Sequence, residues 1–286
     1  MLTLIPNDLL FIIINLLELN DIFNLRLINK QIKKYTKSYS PNYNILINKS
    51  LIFKLFPNIK SISIKNNIFK YLYVPNNSAL KILEIDNNHN ITDQELQKLM
   101  MIEQLYIYNC GKITHYGIYN LVNIKLLSLY MININDSTLE NLINIETLSI
   151  ISSNISDNAF INLKKLKKLK LINNKNITCN SFNKLNIEEL YLSSLNINDE
   201  TLIFFKNIKI LHLSYINING QGLNYLTNIE ELEIKNCEIN DNYINNLYNL
   251  KKLKKITLFM CYNISEYKIN QLKMMFGDNL DYSNYH

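Results

Sequence analysis

Two aliphatic residues separated by one other recur along most of this chain, beginning with Leu83 and Ile85 and ending with Ile256 and Leu258. Counted from the first of each pair, nine copies start at Leu83, Leu105, Leu127, Leu148, Leu169, Leu190, Leu211, Leu232 and Ile256, at intervals of 21 or 22 residues and a final one of 24. All eighteen positions are Leu or Ile. Alternation with period two buries one face of a short strand. A fixed period of this length predicts a solenoid, in which each unit buries its apolar face against its neighbours. Ile59, Ile62 and Ile64 form a degenerate opening copy.

Seven or eight residues after each start comes an Ile, from Ile91 through Ile113, Ile134, Ile155, Ile177, Ile197, Ile218 and Ile239 to Ile264, preceded by Asn in seven of the nine copies. Asn tolerates turn conformations, so the strand is expected to end at that Asn. The residue after the Ile is always Thr, Ser or Asn, and the next is often acidic, as at Asp93, Asp136, Asp157, Asp199, Asp241 and Glu266. These are N-cap and first-turn residues, suited to the unpaired N–H groups of a helix start. Apolar pairs three apart follow, such as Leu96 with Leu99 and Leu202 with Phe205. They give a short helix one buried stripe.

Strand, turn, capped helix and this period resemble the leucine-rich-repeat family, LxxLxLxxN/C. The Asn/Cys position of that pattern holds Asn88, Cys110, Asn174, Cys237 and Cys261, but Ile132, Ser153, Leu195 and Ile216 in the other copies. The departures fall in shorter repeats, where the turn is expected to be rebuilt. The resemblance, closest to the cysteine-containing subtype, implies an α/β solenoid with a curved parallel sheet on its concave side and short helices on its convex side. It covers roughly residues 59–276, with 277–286 left as a C-terminal tail.

The first forty residues have a different pattern. Pro6 and Asp8 open a helix crowded with Leu9, Leu10, Ile13, Leu16 and Leu17, and Asp21 opens a second that carries Leu25 and Ile28. A unit this small cannot bury so much apolar surface within itself. Part of it is therefore expected against another protein. The order resembles the F-box: Pro6 and Asp8 match the opening, Ile13 and Leu17 the first helix, and Asp21, Ile22, Leu25, Arg26, Ile28 and Lys30 the second. Ile5 stands for the leading Leu and Ile32 for the usual aromatic. The resemblance implies a small all-α domain over 1–40 that docks on the adaptor Skp1 of a cullin-RING ubiquitin ligase through Ile5, Pro6, Leu9, Leu10, Ile13, Leu16, Leu17, Leu25 and Ile28. Residues 41–58, between Pro41 and Pro57, read as a helical junction. The competing reading makes the first helices merely the solenoid's N-terminal cap, on a protein-binding or inhibitory scaffold outside the ubiquitin pathway.

Strands of a solenoid line its open face, so the residues between and just after the buried aliphatics are the ones that meet a partner. Aromatic residues gather there in two groups, Tyr106 and Tyr108 with Tyr130, and Tyr191 with His212 and Tyr215, and Phe259 adds another late in the array. Tyrosine is a common interface anchor. These are the candidate target-binding residues.

Charge and chemistry change this picture little. The net charge of +6 is concentrated in Lys164, Lys165, Lys167, Lys168 and Lys170, with an echo at Lys251, Lys252, Lys254 and Lys255, read as a solvated rim rather than a nucleic-acid site. Four separated cysteines without CxxC spacing read as reduced and buried. The apolar run Leu9 to Leu17 is too short and wrongly flanked for a signal peptide or membrane span. Scattered histidines, five glycines and no triad pattern argue against a metal site, a phosphate loop or an enzyme. The sequence thus predicts a non-catalytic, cofactor-free adaptor of the cytoplasm or nucleus, monomeric until its complex assembles. Its partners would be a Skp1-like adaptor and an unidentified target protein, with no nucleic acid and no membrane.

Overall fold

The computed structural model describes residues 43–44, 58–66, 72, 74–75 and 78–283. The helices expected over 1–40 and residues 45–57 of the expected junction lie outside that range. The chain divides into two compact units, Met1–Ile124 and Lys125–His286.

In the first unit, strands β1 (Tyr43–Asn44), β2 (Ser61–Lys65), β3 (Ile82–Asp86) and β4 (Gln104–Tyr108) pair in parallel in sequence order. Tyr43 and Asn44, at the start of the expected junction, form a short strand in register with Ile62 and Ser63. Single helical turns, α1 (Asp93–Leu96) and α2 (His115–Ile118), follow β3 and β4. Ile62, Leu83 and Leu105 stand side by side in register, and all three are buried.

The second unit carries β5 (Leu126–Tyr130), β6 (Thr147–Ile151), β7 (Lys168–Ile172), β8 (Glu189–Ser193), β9 (Ile210–Ser214), β10 (Glu231–Lys235), β11 (Lys255–Phe259) and β12 (Leu280–Ser283), again parallel between sequence neighbours. Every predicted strand aliphatic, from Leu83 to Leu258, is buried, and so are the helix-side pairs. Most connecting turns here are 3-10 rather than α, as at Asp157–Phe160 and Asp199–Phe205. A 3-10 turn rises about 2.0 Å per residue against 1.5 Å for an α-helix, so it spans a tight repeat with fewer residues. Two α-helices also occur here, α3 (Asp241–Ile244) and α4 (Glu266–Phe276), the second the longest helix among the described residues and placed after the last predicted strand, β11.

The expected tail is largely structured. Gly277, with φ of 55°, ends α4, and Leu280 and Tyr282 align beside the buried Ile256 and Leu258 to add β12 to the sheet edge. The spacing from Ile256 to Leu280 repeats the 24-residue interval before it, a weaker signal because Tyr282 replaces the second aliphatic.

The strand also ends three or four residues earlier than the Asn before the Ile suggests. The left-handed residue is the one immediately after each strand: Asn66, Asn87, Asn109, Met131, Ser152, Asn173, Ser194, Tyr215, Asn236 and Met260, all with φ between 49° and 59°. Half of these are Asn, the side chain that tolerates this conformation best after Gly. The others are held by the ladder itself, as where Tyr215 N–H bonds the carbonyl of Lys235 at 3.0 Å.

The turn at the variable Asn/Cys slot comes in two lengths that do not follow repeat length, since Asn174 stands in a 21-residue repeat like those of Ile132 and Ile216. Buried Asn174 donates to the carbonyls of Ile150 and Ile172 at 2.9 and 3.0 Å and accepts from Ser153 N–H at 3.1 Å. Cys110 and Cys261 place thiols against backbone carbonyls in the same slot. Around Asn174, Cys110 and Cys261, the following Ile N–H bonds back to the slot carbonyl three residues earlier; with Ile132 and Ile216 in the slot the bond spans only two residues. The shorter turn omits one residue, and the aliphatic side chain fills the volume without needing polar partners.

The periodic aspartates do more than sit in a first turn. Asp93 reaches into the next repeat and accepts from Thr114 N–H and Oγ1, both at 2.7 Å. Asp136 does the same for Ser156 at 2.7 and 2.6 Å. Asp157 accepts from Thr178 N–H and Oγ1 and from Cys179 and Asn180 N–H, and Asp199 from the N–H groups of Asn219, Gly220 and Gly222. Each carboxylate thus satisfies the unpaired donors at the start of its neighbour's helical turn and ties consecutive repeats together.

Candidate functional site

The first, third and fifth residues of each strand point away from the core, and side chains on that open face can meet a partner. In the first unit this face brings Tyr106 and Tyr108, two residues apart on β4, beside Glu84 and Asp86 of β3. The Tyr106 hydroxyl donates to Gln104 Oε1 at 3.4 Å. Burial, then the charges of Tyr108 and Glu84, push its phenol up from the ordinary value. Tyr130, grouped with these two by the sequence, lies on β5 of the second unit and is exposed.

The second unit assembles a continuous polar network across β7 to β10. Tyr191 and His212, in register on adjacent strands, stack with ring centroids 4.0 Å apart and planes at 11°. On one side the Tyr191 hydroxyl donates to Glu189, whose other oxygen lies 2.6 Å from Lys168 Nζ. On the other side His212 Nδ1 lies 3.0 Å from Glu233 Oε1, which Lys235 Nζ approaches at 3.1 Å. The charges are thus matched along the row. Burial acts to raise the Glu189 carboxyl, but the hydrogen bonds from Lys168 and Tyr191 outweigh it and hold it below its ordinary range. His212 and Lys235 do the same for Glu233. Burial, with the hydrogen bond and charge of Glu189 and the charges of Glu233 and Glu231, pushes the Tyr191 phenol up to about 12.

Tyr191 and His212 were legible as a pair, whereas their charged partners were not. Lys168 was expected on the solvated rim, and Glu189, Glu233 and Lys235 were not among the candidates; the signal was opposite charge one repeat apart, Lys168 against Glu189 at the first strand position. Tyr215 is not part of the stack. It occupies the left-handed position after β9 and is 63% exposed. Phe259 ends β11 beside Lys235 and is half-buried.

This face offers a pre-organised surface of aromatic rings and paired charges, with side chains locked by their neighbours. Among the described residues no three His, Cys, Asp or Glu side chains gather closely enough to hold a metal, and no helix is long and apolar enough to cross a membrane. All four cysteines are free and buried. Burial pushes the thiols of Cys237 and Cys261 up to about 12 and about 11, and that of Cys179 well above its ordinary value, so at neutral pH they are poor nucleophiles. The lysine runs are exposed and partly paired, Lys168 with Glu189 and Lys254 with Glu230, each at 2.6 Å, but they are not all on the rim: Lys168 and Lys170 lie on β7 and Lys255 on β11.

Among solved structures, the chain resembles an internalin, InlF, from Listeria monocytogenes, at 12% identity over 94% of this chain and 95% of that one, with a TM-score of 0.60. It also matches an internalin C2 from the same organism at 26% identity, 61% and 77% coverage and a TM-score of 0.48. A plant peptide hormone receptor, RGFR1 in complex with RGF2, matches at 17% identity, 81% and 42% coverage and a TM-score of 0.47. At 12% identity the InlF likeness speaks for the fold alone, and that fold is the leucine-rich-repeat solenoid. No curated protein matches the chain. The F-box domain model matches residues 2–44. The chain thus combines an F-box at its start with a leucine-rich-repeat fold. All nine residues expected to dock an adaptor fall within the matched span, and the repeats supply the open sheet face described above.

Proposed function

We propose that the protein is the substrate-recognition subunit of a Skp1, cullin and F-box ubiquitin ligase, with residues 2–44 held by a Skp1-like adaptor and the open face of the repeats holding a target protein. The observation that carries the reading is the F-box match at residues 2–44, ahead of a repeat array that starts near Ile59. One part suits attachment to the ligase and the other suits presentation of a partner. The division of labour within each repeat supports it. Leu190 and Leu192 are buried, while the residue between them varies from copy to copy: Ser128, Ser149, Lys170, Tyr191, His212, Glu233. A uniform interior under a varied face is what a recognition scaffold needs. The F-box match weighs against a mere cap, which needs one apolar stripe but not that ordered pattern.

The role needs no catalytic residue in this chain, because the transfer chemistry belongs to the ligase's other subunits. It implies an intracellular protein. Co-expression with a Skp1-like adaptor is the test. A stoichiometric complex that persists through size exclusion is expected; failure of the full-length chain to form one would contradict the proposal.

A further inference from the structure

The open face of β5 to β7 presents two adjoining rows of unlike chemistry. At the third strand position stand Ser128, Ser149 and Lys170, and at the fifth stand Tyr130, Ile151 and Ile172, each aligned in register with the next. The rows are roughly 6.6 Å apart along the strands and successive members about 4.8 Å apart across them. Tyr130 and Lys170 are exposed and the other four half-exposed. An aromatic and aliphatic strip therefore lies beside a strip of hydroxyls that ends in a cation.

That cation is distinguished from its neighbours. Lys168 is held by Glu189 and Lys235 by Glu233, and the hydrogen bond from Tyr191 further occupies Glu189. Lys170 stands directly beside Tyr191 in register, yet among the described residues it makes no ion pair or hydrogen bond. The pairs of Lys168 with Glu189 and of Lys235 with Glu233 leave the positive charge of Lys170 unmatched on its row.

We infer that the face of β5 to β7 takes a segment of the target protein bearing an acidic side chain, seated against Lys170 and the two serines, next to an apolar side chain laid on Tyr130, Ile151 and Ile172. This rests on the proposed recognition role and specifies the chemistry of its partner. A carboxylate matches better than a phosphate. Recognition of phosphorylated segments relies on clustered arginines that grip two oxygens at once, and the only arginine in the chain is Arg26, in the F-box. One lysine flanked by hydroxyls balances one carboxylate charge without such a fork.

The test uses the full-length protein in its adaptor complex to select from a random peptide display library and from the same library with phosphoserine. Peptides with Asp or Glu adjacent to Ile, Leu or Phe are expected to be enriched. Their affinity should fall on the order of tenfold or more with Lys170→Glu, fall less with Lys170→Gln, and stay unchanged with Lys251→Glu on the rim. Enrichment of peptides lacking an acid, preference for the phosphorylated library, no enrichment at all, or indifference to Lys170→Glu would each overturn the inference. Acid-free peptides that still compete with one another on this face would leave the recognition role standing, whereas failure of the adaptor complex to form would strike that role instead. Ile151→Asp, on the exposed side of β6, gives a second check at a position outside the core and should also abolish binding.

Discussion

Asp199 and Gly222 are joined across consecutive repeats: the Asp199 carboxylate accepts the Gly222 N–H at 2.8 Å, and a Cβ at position 222 would sit 2.1 Å from the Asp199 carbonyl oxygen. The clamp therefore sets its own steric condition, a residue without a side chain where the next repeat approaches. Gly117 meets a similar steric limit beside Asp93, where a Cβ would come 2.5 Å from the carboxylate oxygen.

Gly222→Ala is accordingly expected to destabilise the protein by about 1–3 kcal/mol, the usual range for forced overpacking. Gly111→Ala, whose added carbon would meet nothing nearer than 3.9 Å, should be close to neutral. Urea midpoints of the two variants check this, and equal midpoints would contradict the clamp.

The clamp also predicts an acid limit. The hydrogen bonds from Ser265 hold the Asp241 carboxyl below its ordinary 3.8. A folded-state pKa below the unfolded one contributes stability that is complete above the unfolded value and disappears as pH falls through the folded one. The urea midpoint should therefore drop as pH is lowered below about 4, and Asp241→Asn should flatten part of that drop. An Asp241→Asn curve parallel to the parent's would refute the assignment.

At the other end of the scale, the Tyr191 phenol is raised from 10.0 to about 12. A raised phenol favours the neutral folded form, so its contribution is complete below pH 10 and lost as pH climbs toward about 12. Subtracting the alkaline ultraviolet titration of Tyr191→Phe from that of the parent should isolate one late-titrating phenolate. A difference step near pH 10 would show that the hydrogen bond to Glu189 does not hold.

How much of this was readable in advance follows from the range of each interaction. Leu190 and Leu192 announced a strand because alternation is a local pattern, and all the predicted strand pairs proved buried. Asp157 looked like a first-turn residue because its own repeat gives it that place; its partners Thr178, Cys179 and Asn180 lie 21 to 23 residues on and become visible only with the register known. Met131 and Tyr215 gave no hint of a left-handed backbone, since neither prefers it and the ladder imposes it. The charged partners of the Tyr191 and His212 stack were hidden for the same reason as those of Asp157. β12 was missed because Tyr282 interrupts the aliphatic rhythm at the last turn of the array.

The most direct measurement of the central claim is adaptor binding by the full-length chain carrying Leu9→Asp together with Ile13→Asp, with the circular dichroism melt of the same sample. The account predicts that the complex with a Skp1-like adaptor is lost while the melt of the repeats is unchanged. A complex that survives both charges, or a repeat array that collapses and aggregates with them, would contradict the adaptor role and return the first forty residues to the function of a cap.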